Sequence, residues 1–234
     1  MSTCIITGAS SGIGRATALE IAKEKQYTTL VLIARNMENL QETVSLIGDT
    51  DKVIDAISFD MGQPEKIEAL VESIYKKHGS IDALVNCAGY TEPTALLDTT
   101  LENFQKTYTV NVYSVFMMVR ECVKYMKKKA HGKIVNVAST AGITPRPGWL
   151  SYSSSKAAVI SMSSTLSSEL AEYGIKVYCV SPGRCATALR RTLAPDEDQS
   201  KIMQPEMVAE VIANLTNPNE KCLDGQNIVI RMLQ

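Results

Sequence analysis

The sequence predicts an α/β fold with a doubly wound parallel sheet of about seven strands and helices on both faces. Short runs of apolar and β-branched residues alternate with longer amphipathic segments along the whole chain. Apolar runs without alternation, such as residues 30–33, are typical of strands that helices cover on both faces. A glycine-rich segment at residues 7–14 separates the first apolar run from the first helical pattern. We expect a single domain, residues 1–234.

Residues typical of helix ends support the same alternation of strands and helices. Ser11 and Pro64 stand where two helices are expected to begin. Gly79, Gly132 and Gly174 follow helical patterns and are predicted to end them. The predicted strands are residues 3–7, 28–33, 53–59, 83–86, 133–138, 176–180 and 227–230.

The balance of charged residues indicates what kind of ligand the protein binds. Of the 234 residues, 45% are hydrophobic, and 24 Lys and Arg balance 25 Asp and Glu for a net charge of -1. Binding to nucleic acid or to an anionic membrane requires a basic excess, so this balance argues against both. We therefore expect a small-molecule ligand.

The apolar segments and the cysteines indicate in which cellular compartment the protein is expected. The first apolar run, at residues 4–6, leads directly into the glycine-rich segment, and no apolar run approaches the ~18–20 residues of a membrane span. The six cysteines form no C-x-x-C pair, which favours reduced and mostly buried thiols. We expect a cytoplasmic protein without a metal site.

The glycine-rich segment has the spacing T-G-x-x-x-G-x-G. A strand that enters such a turn before a helix presents backbone N–H groups and the positive end of the helix dipole to a diphosphate, as in a Rossmann-type fold. A plain tight turn is the alternative. Residues 86–89, Asn-Cys-Ala-Gly, end the fourth predicted strand, where a ligand of this architecture would lie.

Four polar residues complete the pattern. Tyr152 and Lys156 are four positions apart, which places both side chains on one face of a helix. An ammonium beside a phenol favours the phenolate and so makes it a usable acid or base. Ser139 ends a predicted strand, and Asn111 lies in a helical pattern. Taken singly, each has an ordinary explanation as a cap or a surface residue.

Together these motifs resemble the short-chain dehydrogenase/reductase family in its compact single-domain branch. The resemblance implies hydride transfer between a nicotinamide cofactor and a carbonyl or alcohol. It also implies a homodimer or homotetramer assembled through the helices that contain Asn111 and Tyr152. The matching motifs, in the family's order, are T-G-x-x-x-G-x-G at 7–14, N-x-A-G at 86–89, Asn111, Ser139, Y-x-x-x-K at 152–156 and P-G at 182–183.

The resemblance also implies a role for each residue. Tyr152 exchanges the proton with the substrate oxygen, and Ser139 donates a second hydrogen bond to it. Lys156 lowers the Tyr152 pKa and holds the nicotinamide ribose, and Asn111 positions a water that links Lys156 to solvent. The residues expected to bind the cofactor are Gly8, Ser10, Ser11, Gly12, Ile13, Gly14, Arg35, Asp60, Met61, Asn86, Ala88, Gly89, Tyr152, Lys156, Pro182, Gly183 and Thr187.

The end of the second predicted strand indicates which cofactor is preferred. Ala34-Arg35-Asn36 carries no carboxylate for the ribose hydroxyls, and Arg35 offers a charged fork to a 2'-phosphate. We therefore predict a preference for NADP(H). NAD(H) stays the alternative, because the turn position of Ser11 is often basic in relatives that use NADP and is not basic here.

Arginines cluster near the predicted opening for substrate. They suggest a small anionic substrate such as a ketose or polyol phosphate. A generic carbonyl or 3-oxoacyl reductase is the alternative activity, and a non-catalytic NADP(H)-binding sensor or scaffold is the alternative of another class. The residues expected to contact substrate are Arg146, Trp149, Arg184, Arg190 and Arg191.

Overall fold

A computed structural model describes residues 2–232, and its seven strands form one sheet. The strands are β1 (Thr3–Thr7), β2 (Thr29–Ala34), β3 (Val53–Ser58), β4 (Ala83–Asn86), β5 (Gly132–Val137), β6 (Ile175–Pro182) and β7 (Asn227–Ile230). Their order is β3-β2-β1-β4-β5-β6-β7, and every neighbouring pair is parallel. The chain runs outward from β1 to β3 and then returns to the other side of β1, which confirms the predicted doubly wound sheet.

Helices cover both faces of this sheet. Helices α1, α2 and α8 pack on one face, and α3, α5 and α6 pack on the other. A π-helical turn, Thr109–Tyr113, joins α4 to α5. The helices are α1 (Gly12–Lys23), α2 (Met37–Ile47), α3 (Ile67–His78), α4 (Leu101–Tyr108), α5 (Ser114–Lys129), α6 (Leu150–Leu170), α7 (Ala188–Leu193) and α8 (Pro205–Thr216).

The central strands are buried on both sides, as their non-alternating apolar runs predict. Consecutive strand residues point to opposite faces. Ile6 and Leu32 pack with α1 and α8, whereas Ile5 and Val31 pack with α3 and α5. All four side chains are fully buried. The hydrophobic effect therefore stabilises both helix layers through the same strands.

The predicted strand ends agree with the structure within two residues, and Pro64 begins a 3-10 turn that leads into α3. Gly79 and Gly174 adopt left-handed conformations after helical segments, as predicted. Gly132 does not end α5, so that prediction is wrong. Ala130 takes the left-handed conformation there, with φ 50°, and Gly132 begins β5. A Cβ atom on Gly132 would lie 2.6 Å from the Met126 sulfur, so the glycine permits close packing instead.

No helix within residues 2–232 is long and apolar enough to cross a membrane. The six cysteines are free, and four of them are buried. Cys87 is half-buried and Cys222 is exposed. Burial raises the pKa of the Cys87 thiol to about 12 and so disfavours its thiolate.

Candidate active site

A cavity of about 1200 Å³ opens at the carboxyl ends of the strands, beside the point where strand order reverses between β1 and β4. This edge is where doubly wound sheets bind ligands. The glycine-rich turn and the end of β2 line one side of the cavity. Residues from the ends of β3 to β7, together with residues of α4, the π-helical turn, α6 and α7, line the rest.

The glycine-rich turn is shaped by close backbone contacts. Gly8 and Gly12 have positive φ angles, 69° and 51°. A Cβ atom on Gly14 would lie 2.2 Å from the Gly8 carbonyl oxygen, and one on Gly8 would lie 2.8 Å from the Ala88 nitrogen. Ser11 precedes α1 without a capping hydrogen bond from its side chain. The bare backbone at the start of α1 therefore fits the diphosphate of a dinucleotide.

The end of β2 contributes an arginine to the same cavity. Arg35 is exposed, and no carboxylate within residues 2–232 forms an ion pair with it. Asn36 and Asn39 line the wall beside it. Arg15, in contrast, does not line the cavity, and its guanidinium donates to Glu42 Oε2 at 2.7 Å. Arg35 is therefore the guanidinium that fits a phosphate group on this side.

Ser139, Tyr152 and Lys156 come together on the wall opposite this side. Tyr152 and Lys156 lie one turn apart on α6, and Ser139 follows β5. The Ser139 hydroxyl lies close enough to the Tyr152 phenol to lower its pKa. Lys156 Nζ donates to the Val137 carbonyl oxygen at 2.9 Å and lies 5.8 Å from the centroid of the Tyr152 ring. A hydroxyl pair therefore faces the cavity, with a buried ammonium behind it.

Burial controls how these groups ionise. It raises the pKa of Tyr152 to about 12, and the nearby Ser139 hydroxyl and the charge of Arg190 only partly oppose it. Burial also lowers the pKa of Lys156 to about 8. Lys156 Nζ is bound to the Val137 carbonyl oxygen, and its expected effect on the Tyr152 pKa stays a prediction. The Tyr152 phenol is therefore neutral at pH 7.

Asn111 lies beneath the cavity rather than on its wall. It is fully buried in the π-helical turn, and its Oδ1 accepts from the Tyr90 amide at 2.8 Å. Its Nδ2 donates to the Tyr90 carbonyl oxygen at 2.9 Å and to Ser155 Oγ at 3.0 Å. Asn111 Oδ1 and Lys156 Nζ would each lie 3.7 Å from a Cβ atom on Gly89. The Asn111 side chain therefore holds the loop after β4 against α6, close to the lysine.

The side chain of Asn86 does not lie where its predicted role in cofactor binding requires. Its Nδ2 donates to Asn136 Oδ1 at 2.9 Å, and Asn136 Nδ2 donates to Ser163 Oγ at 3.0 Å. The side chain points into this buried ladder between β4, β5 and α6, so it does not line the cavity. Ala88, Gly89 and Cys87 line the cavity instead.

The remaining predicted cofactor residues line the cavity from both sides. Thr187 Cγ2 would lie 3.1 Å from a Cβ atom on Gly12, so the Pro-Gly loop faces the glycine-rich turn. Thr187 also caps α7, because its Oγ1 accepts from the Arg190 amide at 3.0 Å. The predicted cofactor residues that line the cavity are Gly8, Ser10, Ser11, Gly12, Ile13, Gly14, Arg35, Asp60, Met61, Ala88, Gly89, Tyr152, Lys156, Pro182, Gly183 and Thr187.

The predicted substrate residues divide into two groups. Arg146, Trp149, Arg184 and Arg190 line the cavity. Arg191 does not, which corrects that prediction: successive helical residues point in different directions, and Arg191 is exposed on α7. Arg184 and Arg190 both bind a carboxylate, that of Glu197, so they do not form a free cationic cluster.

The sequence reasoning missed several residues that line the cavity. Arg231 and Met232 directly follow β7, and the carboxyl ends of parallel strands share one edge, so their place could have been predicted. Lys106 lies on α4, with its Nζ 4.6 Å from the centroid of the Tyr90 ring. No local sequence signal identifies Lys106, since tertiary packing brings α4 to the cavity.

Comparison with known proteins now identifies the family. Residues 2–198 match the family described as short chain dehydrogenase. The chain is a short-chain dehydrogenase/reductase. This family assignment makes it an oxidoreductase, and it confirms the resemblance that its motifs indicate.

Two relatives illustrate the range within this short-chain dehydrogenase/reductase family. The 3-oxoacyl-(acyl-carrier-protein) reductase FabG of Thermotoga maritima is 35% identical over 235 residues, covering 97% of this chain and 95% of the relative. Human dehydrogenase/reductase SDR family member 4 is 29% identical, covering 97% of this chain and 84% of the relative.

Solved structures of similar proteins contain either nicotinamide cofactor. ElxO with NADP bound superposes with a TM-score of 0.88 at 28% identity, covering 98% of this chain and 96% of that one. NAD+-bound xylitol dehydrogenase has a TM-score of 0.87 at 26% identity, covering 98% and 97%. The fold thus accommodates a nicotinamide cofactor, and both types occur among its neighbours.

Proposed function

We propose that this chain is an NADPH-dependent carbonyl reductase that acts on a 3-oxoacyl thioester. The observation that carries the proposal is the pair Ser139 and Tyr152, which faces one cavity together with the glycine-rich turn. Apolar side chains suited to an acyl chain line the substrate side, among them Ile143, Leu189 and Leu193. Similarity to 3-oxoacyl-(acyl-carrier-protein) reductases supports the same substrate class.

A ketose or polyol phosphate finds no support as the substrate. Of the arginines that suggested it, Arg184 and Arg190 bind Glu197 and Arg191 lies outside the cavity, which leaves Arg146 as the single one that lines the cavity without binding Glu197. A non-catalytic sensor is also disfavoured, because Tyr152, the proposed proton donor, lies beside Ser139 in the same cavity.

In the proposed reaction, the chain supplies the proton and orients the carbonyl. A bound nicotinamide cofactor supplies the hydride. Tyr152, protonated at pH 7, donates its proton to the carbonyl oxygen as negative charge develops there. Ser139 donates a hydrogen bond to the same oxygen and so fixes its position. Lys156 stands behind Tyr152, where its ammonium favours the phenolate that remains after proton transfer.

NADP(H) is the cofactor that we propose. Arg35 carries a permanent charge, faces the cavity and is free of an ion pair among the described residues. A 2'-phosphate supplies two further charges that a guanidinium binds by charge-assisted hydrogen bonds. NAD(H) lacks this phosphate, so Arg35 adds no affinity for it.

We also propose a homo-oligomer that forms through α5 and α6 and acts in the cytoplasm. Ala157, Ser161 and Ser164 form an exposed face of small residues on α6, which permits close helix packing. Tyr113 and Phe116, near the start of α5, are also exposed and apolar. A reducing compartment suits the free cysteines.

The substitution Tyr152→Phe tests the proposed reaction. It should lower the rate of NADPH oxidation with acetoacetyl-CoA by roughly 10²–10⁴-fold, because it removes the proton donor. NADPH binding, followed by its fluorescence, should remain within about threefold of wild type, since the backbone turn is unchanged. Tyr75→Phe is the matched control and should keep full activity, because Tyr75 lies on α3 and outside the cavity. Full turnover by Tyr152→Phe would refute this mechanism.

A further inference from the structure

One carboxylate anchors the short helix α7 on the substrate side of the cavity. Arg190 Nε and Nη2 donate to Glu197 Oε2 and Oε1 at 2.5 and 2.8 Å. Each of these two side chains is 16% exposed. Arg184 adds a longer contact of 3.4 Å to the same carboxylate. A paired fork of this kind fixes the orientation of a guanidinium as well as its position.

The fixed guanidinium contacts the catalytic tyrosine through one aromatic ring. Arg190 Cζ lies 5.6 Å from the centroid of the Trp149 ring. The Trp149 and Tyr152 rings meet edge to face, with centroids 6.4 Å apart and planes at 75°. Cation–π and edge-to-face contacts are both attractive at these distances. A continuous line of contacts therefore joins Glu197 to Tyr152.

We propose that Arg190 is a positioning residue of this active site: clamped by Glu197, it holds Trp149 against Tyr152 and keeps a positive charge beside the phenol. The inference rests on the proposed carbonyl reduction, because the ring that it positions belongs to the proton donor. Loss of the clamp frees Trp149 and leaves the wall beside Tyr152 disordered.

The charges around Tyr152 show why Arg190 matters to proton exchange. The charged groups that face this phenol are Lys156, from its own helix α6, and Arg190, from α7; Ser139, after β5, is neutral. Lys156 is bound to the Val137 carbonyl, whereas the charge of Arg190 lowers the Tyr152 pKa against burial. The hydrogen bonds from Arg190 hold the Glu197 pKa below its usual range, so the clamp remains ionised at neutral pH.

The test uses four variants and two readouts. Trp149 is the single tryptophan of the chain, so acrylamide quenching of intrinsic fluorescence measures how accessible the Trp149 ring is to solvent. The second readout is the pH dependence of kcat for alcohol oxidation, the direction that requires ionised Tyr152. The variants are Arg190→Met, Arg190→Lys, Glu197→Gln and the control Arg191→Met, which removes an exposed charge outside the cavity.

Arg190→Met should increase quenching at least about twofold, lower kcat about tenfold and move the pH profile of oxidation to higher pH. Arg190→Lys and Glu197→Gln keep the positive charge but lose the paired fork. They should increase quenching while the pH profile stays near that of wild type. Arg191→Met should match wild type in both readouts.

Unchanged quenching and an unchanged pH profile in Arg190→Met would overturn the proposal. A loss of thermal stability alone, with both readouts at wild-type values, would also overturn it, because it indicates a purely structural ion pair. If wild type reduces no 3-oxoacyl thioester, the proposed function fails. The quenching series still decides whether Glu197 and Arg190 hold Trp149.

Discussion

Burial shifts the two titratable groups of the active site in opposite directions. Tyr152, 7% exposed, becomes harder to ionise, and Lys156 becomes easier to deprotonate. A protonated phenol suits reduction, since the carbonyl oxygen must receive a proton. The spacing of Tyr152 and Lys156 correctly predicts a shared helix face, but spacing carries no information on how deeply either group is buried.

The pH dependence of the two reaction directions should differ. The Tyr152 pKa lies near 12, so the proton donor is intact across the working range, and the Lys156 pKa near 8 sets the upper limit of reduction. Reduction should be level from pH 6 to about 7.5 and fall above pH 8 as Lys156 loses its charge. Oxidation should rise with pH because it requires the phenolate.

Steady-state kcat at saturating cofactor and substrate, measured in both directions between pH 6 and about 10, checks this prediction. A reduction rate that rises between pH 8 and 10 would contradict it.

At the scale of elements, the carboxyl ends of the strands decide what the cavity binds. β1 leads into the glycine-rich turn, Arg35 follows β2, and Ser139 lies two residues after β5. These placements follow from strand pattern and parallel order, so the sequence could predict them. The role of Asn86 could not be predicted, because a residue at a strand end points either into the cavity or into the core.

The end of β2 should control cofactor preference. Arg35→Asp should weaken NADPH binding by roughly 10–100-fold, because it replaces a charge-assisted donor with a repelling carboxylate. NADH binding should be unchanged or stronger. Fluorescence titration of both cofactors measures the effect.

Lys25→Asp is the matched control for Arg35→Asp. It makes the same change in net charge at Lys25, an exposed residue just after the C-terminal end of α1. An NADPH/NADH affinity ratio that Arg35→Asp leaves unchanged would remove Arg35 from the cofactor site.

At the scale of the whole molecule, a buried lysine ties the C-terminal segment to the sheet. Lys133 Nζ, in β5, donates to the Leu215 and Glu220 carbonyl oxygens at 3.1 and 3.0 Å and also to the Asn217 carbonyl oxygen. Glu220 accepts from the Tyr178 hydroxyl on β6. These contacts join β5 and β6 to the end of α8 and to the segment that leads into β7.

Lys133→Met should lower the free energy of unfolding by about 2–4 kcal/mol, because it leaves buried carbonyls and Glu220 without their cation. Urea unfolding followed by circular dichroism measures the change. Lys176→Met is the control: its ammonium donates to the Lys221 carbonyl oxygen at an exposed position and should cost less than about 1 kcal/mol. Equal effects of the two substitutions would show that burial of Lys133 contributes nothing.

The sequence by itself determined the doubly wound sheet, the glycine-rich turn and the helix that carries Tyr152 and Lys156. These features depend on local period, spacing and backbone sterics, which residues near one another in the chain already specify. Only the tertiary structure decided that Arg190 pairs with Glu197, that Arg191 faces solvent and that burial raises the pKa of Tyr152. Ion pairing and pKa depend on which groups packing brings together and removes from water.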